Sequence, residues 1–443
     1  MFVCRIRNFY GQIAAFFFLP ETLLLVTLGI VPGSSQAASV LTLSEAEQLA
    51  LAEDPAIIAS RARAEALREQ SVAAGQLPDP KLLLGMWNVP VDDFSISREP
   101  TTQLRTGIRQ AFPRGNSLEY RQRSTEWMGE AEASRTRTTQ LEIQRDVRQA
   151  WLELYYQQRA AGIVQESRDL FEQLVEITRS HFASGRVSQQ DVLQAQLELS
   201  RLDDRATQIS KQADIQRARL SRWLGERAWA PIDDSFPQLP SLPGREQLRA
   251  GLLSHPAIKA ASARVESRQQ LVKAAREQYK PGFNLGVEYR KRFGDNPDGS
   301  SRTDMMAAMV TLDLPLFTDK RQDRQLSASQ SLADAAIQAR EQRLRELRRM
   351  LDADYARWER LGEQESLYRE NLLREAHENA DAALSSYQNG INEFTTLMRA
   401  RLLELEVSLQ DIRIRVDRAK AAASLLFLAA GTPDALNNPG ENP

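Results

Sequence analysis

Long stretches of this 443-residue chain occur twice, and that duplication limits its possible architecture more than any other feature. Pro55-Ala56-Ile57 returns as Pro256-Ala257-Ile258, 201 residues later. At the same offset Ala59, Ala62, Arg63, Glu65, Ala73, Ala74, Pro80, Leu84 and Gly85 return as Ala260, Ala263, Arg264, Glu266, Ala274, Ala275, Pro281, Leu285 and Gly286. At an offset of 205, Phe182-Ala183-Ser184-Gly185 is answered by Tyr387-Gln388-Asn389-Gly390, and Val192 and Ala195 by Leu397 and Ala400. Two unrelated Ala-rich helices can align by chance, but matched Pro and Gly at both ends of a unit argue for one unit written twice.

Each copy has the same order of parts: a helix, two strands, a very long helix, a tight glycine turn and a return helix. The first helix starts at Ser44, where Ser44-x-x-Glu47 has the form of a capping box, and is interrupted at Pro55 before ending near Leu77. Its counterpart runs from about Gly244 to Tyr279. The expected division is an export signal over 1–37, a first repeat over 38–229, a Pro-rich linker over 230–244, a second repeat over 245–431 and a disordered tail over 432–443. The hairpins fall at about 80–113 and 281–315, and the tips at 183–188 and 388–392.

The second hairpin carries the clearest periodicity. Phe283, Leu285, Val287, Tyr289 and Phe293 alternate with Asn284, Gly286, Glu288, Arg290 and Arg292. After a polar loop, Met306, Ala308, Val310, Leu312 and Leu314 alternate with Ala307, Met309, Thr311 and Asp313. In the first copy Leu104, Ile108 and Phe112 oppose Arg105 and Arg109, while the partner strand around Leu82 is less regular and bends or ends at Pro90. Period-two alternation over about ten residues suits a barrel strand with lipid on one side and water on the other. The alternative is a pair of hairpins on a soluble core, which leaves one face without a covering layer. Four strands are too few to close a barrel, and lipid forbids open sheet edges. Strands that enter a membrane must therefore be pooled by several chains.

The helices agree with that requirement. Ile143, Val147, Ala150, Leu154, Ala161, Val164, Phe171, Val175 and Phe182 follow a 4-3-4-3 spacing, broken by Gln157, Arg168 and Thr178, which reads as a coiled-coil seam. A helix over 117–184 is about 100 Å long at 1.5 Å per residue. No compact domain buries such a rod, so it must pack sideways on neighbours.

The N-terminus reads as a secretory signal, with Arg5 and Arg7 before apolar stretches at 13–19 and 23–31 and Ser35-Gln36-Ala37 ahead of a cleavage before Ala38. A membrane anchor is the alternative. Later segments lack the ~20 apolar residues of a spanning helix. With 57 basic and 59 acidic residues the formal charge is −2, so no basic excess points to nucleic acid. The single cysteine, Cys4, lies in the signal, which leaves the mature chain without thiol chemistry or a lipid anchor. His181, His255 and His377 are far apart without ligand spacing, and no nucleophile or phosphate-loop motif occurs, so neither a metal site, a cofactor nor an enzyme is expected.

With these parts in order, the chain resembles the TolC-type outer-membrane efflux protein family over nearly all of its mature length. The residues that carry the resemblance are Asp54-Pro55 and His255-Pro256, Phe112-Pro113-Arg114-Gly115 and Leu314-Pro315-Leu316-Phe317, and the tips Phe182 to Gly185 and Tyr387 to Gly390, with Asp191-Val192-Leu193 after the first. Their order, met twice, is specific. The resemblance implies an α+β membrane protein: a trimeric outer-membrane β-barrel with four strands per chain, continuing into a long periplasmic α-helical coiled-coil barrel. It implies a homotrimer in the outer membrane and periplasm of a Gram-negative bacterium, joined to a periplasmic adaptor (membrane fusion) protein and an inner-membrane transporter of the RND type or similar.

By position in that family, Gly185, Arg186, Val187, Gly390, Ile391 and Asn392 are the adaptor-docking tips, although a tip glycine is also a plain helix cap. Some family members carry aspartates six and nine residues beyond the second tip glycine; here those positions are Thr396 and Arg399. Asp191 keeps the aspartate of the first copy and Tyr387 an aromatic of the tip, so Asp191, Tyr387, Thr396 and Arg399 are the gate candidates, with an Asp191–Arg399 contact expected in a closed state. Arg105, Arg109, Glu288, Arg290, Arg292 and Asp313 are the barrel-lumen candidates. Pro78-Asp79-Pro80 resembles the CzcC-like heavy-metal branch. Three functions stay open: an efflux duct for metal ions or small toxic compounds, the outer-membrane duct of a type I protein secretion system, and a periplasmic coiled-coil scaffold.

Overall fold

The computed structural model describes residues 40–52 and 54–432. The expected export signal and most of the expected tail lie outside that range. Nine α-helices and four strands are present among the described residues. They run α1 (Leu43–Ala52), α2 (Pro55–Ala74), β1 (Lys81–Trp87), β2 (Gln103–Phe112), α3 (Ser117–Ala183), α4 (Gln189–Leu224), α5 (Arg245–Gly251), α6 (Pro256–Glu277), β3 (Gly282–Arg292), β4 (Met305–Asp313), α7 (Gln322–Leu367), α8 (Leu373–Gln388) and α9 (Phe394–Leu428). A π-helical turn, Tyr368–Leu372, joins α7 to α8, so one helical rod extends over 322–388.

Helix starts show how local chemistry sets these limits. Pro55 opens α2 because a first-turn residue needs no N–H partner, and Asp54 Oδ1 accepts from Ala56 N at 2.7 Å. In the second copy His255 does the same work before Pro256, its Nδ1 accepting from Ala257 N at 3.2 Å. The capping box expected at Ser44 is not the start of α1. Thr42 Oγ1 accepts from Glu45 N at 3.2 Å instead. Leu41 and Leu43 are both buried, and Leu41 bridges Ile232 in parallel, which fixes the chain two residues earlier than the sequence pattern suggested.

His255 is fully buried, and its Nε2 lies 3.1 Å from Phe427 O, which can only accept. The ring is therefore neutral with the proton on Nε2. Burial, with Arg343 nearby, lowers its pKa to about 4, against the raising effect of the Phe427 carbonyl. The unfolded chain binds that proton more readily between pH 6.5 and 4. This histidine's stabilisation is thus complete above pH 6.5 and is lost on acidification through pH 4, by about 3 kcal/mol. His255→Asn keeps an N-cap acceptor and should flatten that part of the melting temperature's pH profile. An unaltered profile would contradict the assignment.

Hydrophobic clusters follow the helices. One gathers Leu41, Ala46 and Ile57 with the middle of α3, around Trp151, whose Nε1 donates to Leu41 O at 3.3 Å. A second joins the last turns of α3 to α4, α8 and α9 through Phe171, Leu202, Tyr387 and Leu397. A third packs Leu248 and Leu252 on α7 and the end of α9. The seam of α3 differs from its expected line: Ala160 is buried and Ala161 is not, Phe182 is exposed, and the supposed breaks Gln157 and Thr178 are buried. Both polar side chains find local acceptors, Gln157 Nε2 on Glu153 Oε1 at 3.1 Å and Thr178 Oγ1 on Leu174 O at 2.6 Å. Nearer the strands, α3 packs through small groups, with Ser124 on Ser267 at 2.9 Å and Thr136 on Ser60 at 2.9 Å.

Both hairpins belong to one antiparallel sheet of order β1-β2-β3-β4. The β2–β3 pairing aligns Ile108 with Val287 and Phe112 with Phe283, whose rings stack at 4.9 Å. β1 and β4 are left as edges. No helix among the described residues is long and apolar enough to cross a membrane.

Candidate functional site

The register sorts every strand residue onto one of two faces. Leu82, Leu84, Ile108, Phe283, Leu285, Val287, Tyr289, Met306, Val310 and Leu312 share one face, since Leu82 pairs with Ile108, Ile108 with Val287, Leu285 with Val310 and Tyr289 with Met306. This face is open: Val287 is 52% exposed, Leu82 74% and Met306 77%. The other face carries Arg105, Arg109, Glu288, Arg290, Arg292 and Asp313, and along β3 it is the more covered of the two. A water-soluble sheet buries its apolar side. This one does the reverse, at a cost in water of about 25 cal/mol for each Å² of apolar surface left wet.

The charged face is built across strands. Arg105 pairs with Arg290 and Gln103 with Arg292. Arg290 Nη2 lies 3.3 Å from Glu288 Oε2, and the Arg105 guanidinium sits 4.3 Å from the Trp87 ring centroid. Asp313 stands opposite Gly282 and is exposed. Of the six residues expected on this face, all six share it by register. Trp87 as the platform for Arg105 was missed in the sequence, because its partner is set by pairing with Gln103 rather than by alternation alone.

At the far end of the helices the two tips have the same geometry. Gly185 and Gly390 both sit at φ +72. Gly185 N donates to Phe182 O at 2.9 Å and Arg186 N to His181 O at 2.9 Å; Gly390 N donates to Tyr387 O at 3.0 Å and Ile391 N to Ser386 O at 2.9 Å. This pair of bonds closes a helix by the Schellman motif, which requires the left-handed region and hence favours glycine. The turns themselves are 184–188 and 389–393, a residue shorter or shifted relative to the expected tips. Arg186, Ile391 and Asn392 are exposed and Val187 is half-buried.

The gate candidates separate into two groups. Tyr387 is buried between the ends of α3 and α9, its hydroxyl 3.3 Å from His181 Nδ1 and its ring edge-on to Phe394 at 5.7 Å. Burial raises its phenol pKa above the usual value. Asp191 is a cap: its Oδ2 accepts from Ser188 N at 3.0 Å and Ser188 Oγ at 2.8 Å, completing a capping box at the start of α4. At the matching place in the second copy Glu393 is the N-cap residue and Thr396 takes the third helical position. Within one chain Asp191 does not meet Arg399. Thr396 and Arg399 instead line a cleft of about 330 Å³ between α8 and α9, together with Asn392 and Ser386.

Among the described residues no group of three or more His, Cys, Asp or Glu is placed to hold a metal ion. His181 contacts Tyr387, His255 caps α6, and His377 bonds Glu404 at 2.7 Å. Three separate structural roles account for the three histidines.

Comparison with known proteins bears on these features. The family model for outer membrane efflux proteins matches residues 46–226 and again 248–431. The cobalt-zinc-cadmium resistance protein CzcC of Cupriavidus metallidurans is 22% identical over 295 residues, which cover 66% of this chain and 67% of that protein. Among solved structures, a membrane protein from Pseudomonas aeruginosa is 18% identical with a TM-score of 0.76, over 90% of this chain and 92% of that one. The outer membrane protein VceC from Vibrio cholerae is 18% identical with a TM-score of 0.75, over 88% and 96%. These structures have the same fold as this chain.

Proposed function

Because this chain belongs to the outer membrane efflux protein family, we propose that it is the exit duct of a tripartite efflux system. Membership makes it a transport channel and not an enzyme. In this reading three copies pool their strands into a twelve-stranded outer-membrane barrel, and their helices continue it as a tunnel through the periplasm. The observation that carries the proposal is the inverted sheet, its apolar side open and its charged side the more covered along β3, with two unpaired edges. Lipid rewards the first property and sister strands remove the second.

Arg105, Arg109, Glu288, Arg290, Arg292 and Asp313 would then line the barrel lumen. Gly185, Arg186, Val187, Gly390, Ile391 and Asn392 would meet a periplasmic adaptor coupled to an inner-membrane transporter. Tyr387, with Asp191, Thr396 and Arg399, would set the resting aperture at the tips. Tyr387→Phe keeps the ring against Phe394 and removes the hydroxyl near His181, a loss of about 1 kcal/mol. Single-channel conductance should rise in that variant; an unchanged value would remove Tyr387 from the gate.

Heavy-metal cations or small toxic compounds are the proposed cargo, and the likeness to the cobalt-zinc-cadmium resistance protein supports the metal. A deletion strain tests it. Sensitivity to cobalt, zinc or cadmium that a plasmid copy reverses supports the reading, whereas normal metal tolerance with lost secretion of a protein would move the chain to the protein-export alternative.

A further inference from the structure

The charged face of the sheet does not stop where the strands end. The Arg114 Cγ atom lies 3.2 Å from the place a Cβ of Gly282 would occupy, on the side of the sheet where Asp313 Oδ2 stands. Below it opens a cavity of about 610 Å³ between α3, α6 and α7, to which Arg114, Arg121, Arg268 and Arg321 contribute. A second cavity of about 590 Å³ follows along the same three helices, with Arg135, Arg264 and Arg343 and a single carboxylate, Glu142. Ala257, Ala261, Arg264, Arg268, Leu271 and Ala275 lie at helical spacing on one stripe of α6, so the two cavities are parts of one groove floored by that helix.

The charge in this groove is one-sided in a chain whose formal net charge is −2. Elsewhere the helices carry acid and base in pairs, as in Arg123–Glu119 and Arg179–Glu176. Here Arg135 has a distant partner in Glu132 at 3.9 Å, which also serves Arg63, and Arg114 donates to Gln278 O at 2.7 Å. Arg264 and Arg268, adjacent turns of α6, are exposed with no carboxylate within 4.0 Å among the described residues. On the sheet, the Nε groups of Arg105, Arg290 and Arg292 are buried without an acceptor.

We propose that this arginine track, from the sheet's charged face down the α6 groove, is an anion path that makes the duct selective for anions over cations. Low-dielectric walls of one sign concentrate the opposite ion, and rings of arginine select anions in pores. Small carboxylates, phosphate and chloride are the matching species. A divalent metal crosses such a wall most readily once an anionic ligand has reversed its charge. The inference rests on the reading of the chain as a duct and specifies what that duct conducts.

Purified full-length protein in planar bilayers under a tenfold potassium chloride gradient tests it. The reversal potential should give a chloride-to-potassium permeability ratio several-fold above one. In the double variant Arg264→Gln/Arg268→Gln that ratio should fall at least twofold, and Arg264→Lys/Arg268→Lys should restore it. Both positions are exposed and unpaired, so an unchanged melting temperature is expected as the folding control. Open channels that prefer potassium, or a ratio indifferent to the double variant, overturn the anion path and leave the duct intact. Absence of any conductance overturns the duct itself, and the path with it.

Discussion

With β3 as a wall of the proposed barrel, Val287→Arg should remove about 2–4 kcal/mol from the stability of the inserted protein, the cost of an arginine at mid-depth on a strand that faces lipid. Val287 lies near the middle of β3, paired with Ile108 on one side and Ala308 on the other, so its replacement cannot snorkel to either rim at little cost. The control is one residue away. Ala307 pairs with Glu288 on the charged face, and Ala307→Arg adds a cation beside that carboxylate. It should be tolerated within about 0.5 kcal/mol, as surface changes usually are. Heat resistance of the oligomer extracted from outer membranes reads both. If the sheet were a water-exposed layer, the two variants would behave alike, because arginine at a half-exposed position in water is close to neutral.

Glu153→Ala is the second large effect, and it acts in the helices. Glu153 on α3 receives both Arg413 Nη groups at 2.9 Å and Lys420 Nζ at 2.8 Å from α9, elements separated by 260 residues in sequence. The Arg413 guanidinium also stands 3.7 Å from the Tyr156 ring centroid. Burial alone would push the Glu153 carboxyl up, but its hydrogen bonds to Arg413 and Lys420 prevail and lower it to about 2. Burial lowers Arg413, but its hydrogen bond and charge attraction to Glu153, with Asp417 and Tyr156 nearby, together raise it. Removing the carboxylate leaves two partly covered cations to share the more exposed Asp417, at 3.4 Å from Arg413 and 3.6 Å from Lys420, at a cost of about 2–3 kcal/mol. The same group makes the native protein acid-sensitive. Its stabilisation is present above the unfolded carboxylate range near 4.5 and is lost as pH falls through 2. Chemical denaturation at pH 7 should show a lowered midpoint for Glu153→Ala, with the acid-dependent difference from the parent vanishing below pH 2. A midpoint shift under 1 kcal/mol would mean that the cluster is solvated in the assembled protein.

The distribution of legible and illegible features follows from how far apart the cooperating residues lie. Strand parity is local, and Leu285, Val287 and Arg290 announced their faces through neighbours one and two positions away. Gly185 and Gly390 were readable for the same reason, since a left-handed helix terminus is a one-residue demand. The seam of α3 was only partly readable. A fixed 4-3 spacing drifts by about 20° per heptad against a straight helix, and over 67 residues Ala160 replaces Ala161 on the buried side. Polar Gln157 and Thr178 enter the seam because their own helix satisfies them, which hydropathy alone does not reveal. The start of α1 was misplaced because burial of Leu41 and Leu43 outranks a Ser-x-x-Glu pattern. The pairing of the two hairpins into one sheet, the Glu153 cluster and the arginine groove join segments more than 100 residues apart. Nothing in a single sequence marks them.

Asp191 gives the same lesson at the tip. Its identity matches an aspartate of the family's pattern, yet its carboxylate is engaged three residues away by Ser188. Thr396, its counterpart, takes the third helical position of α9 behind Glu393, whose side chain makes no capping bond. The capping box accounts for Asp191 before any role in an aperture is considered.

A duct of this kind needs strands whose edges are completed by sister chains, and counting chains tests that most directly. Native mass spectrometry of the protein extracted from outer membranes in mild detergent should give a particle of three chains. A folded particle of one chain, with β1 and β4 still unpaired, would contradict the account.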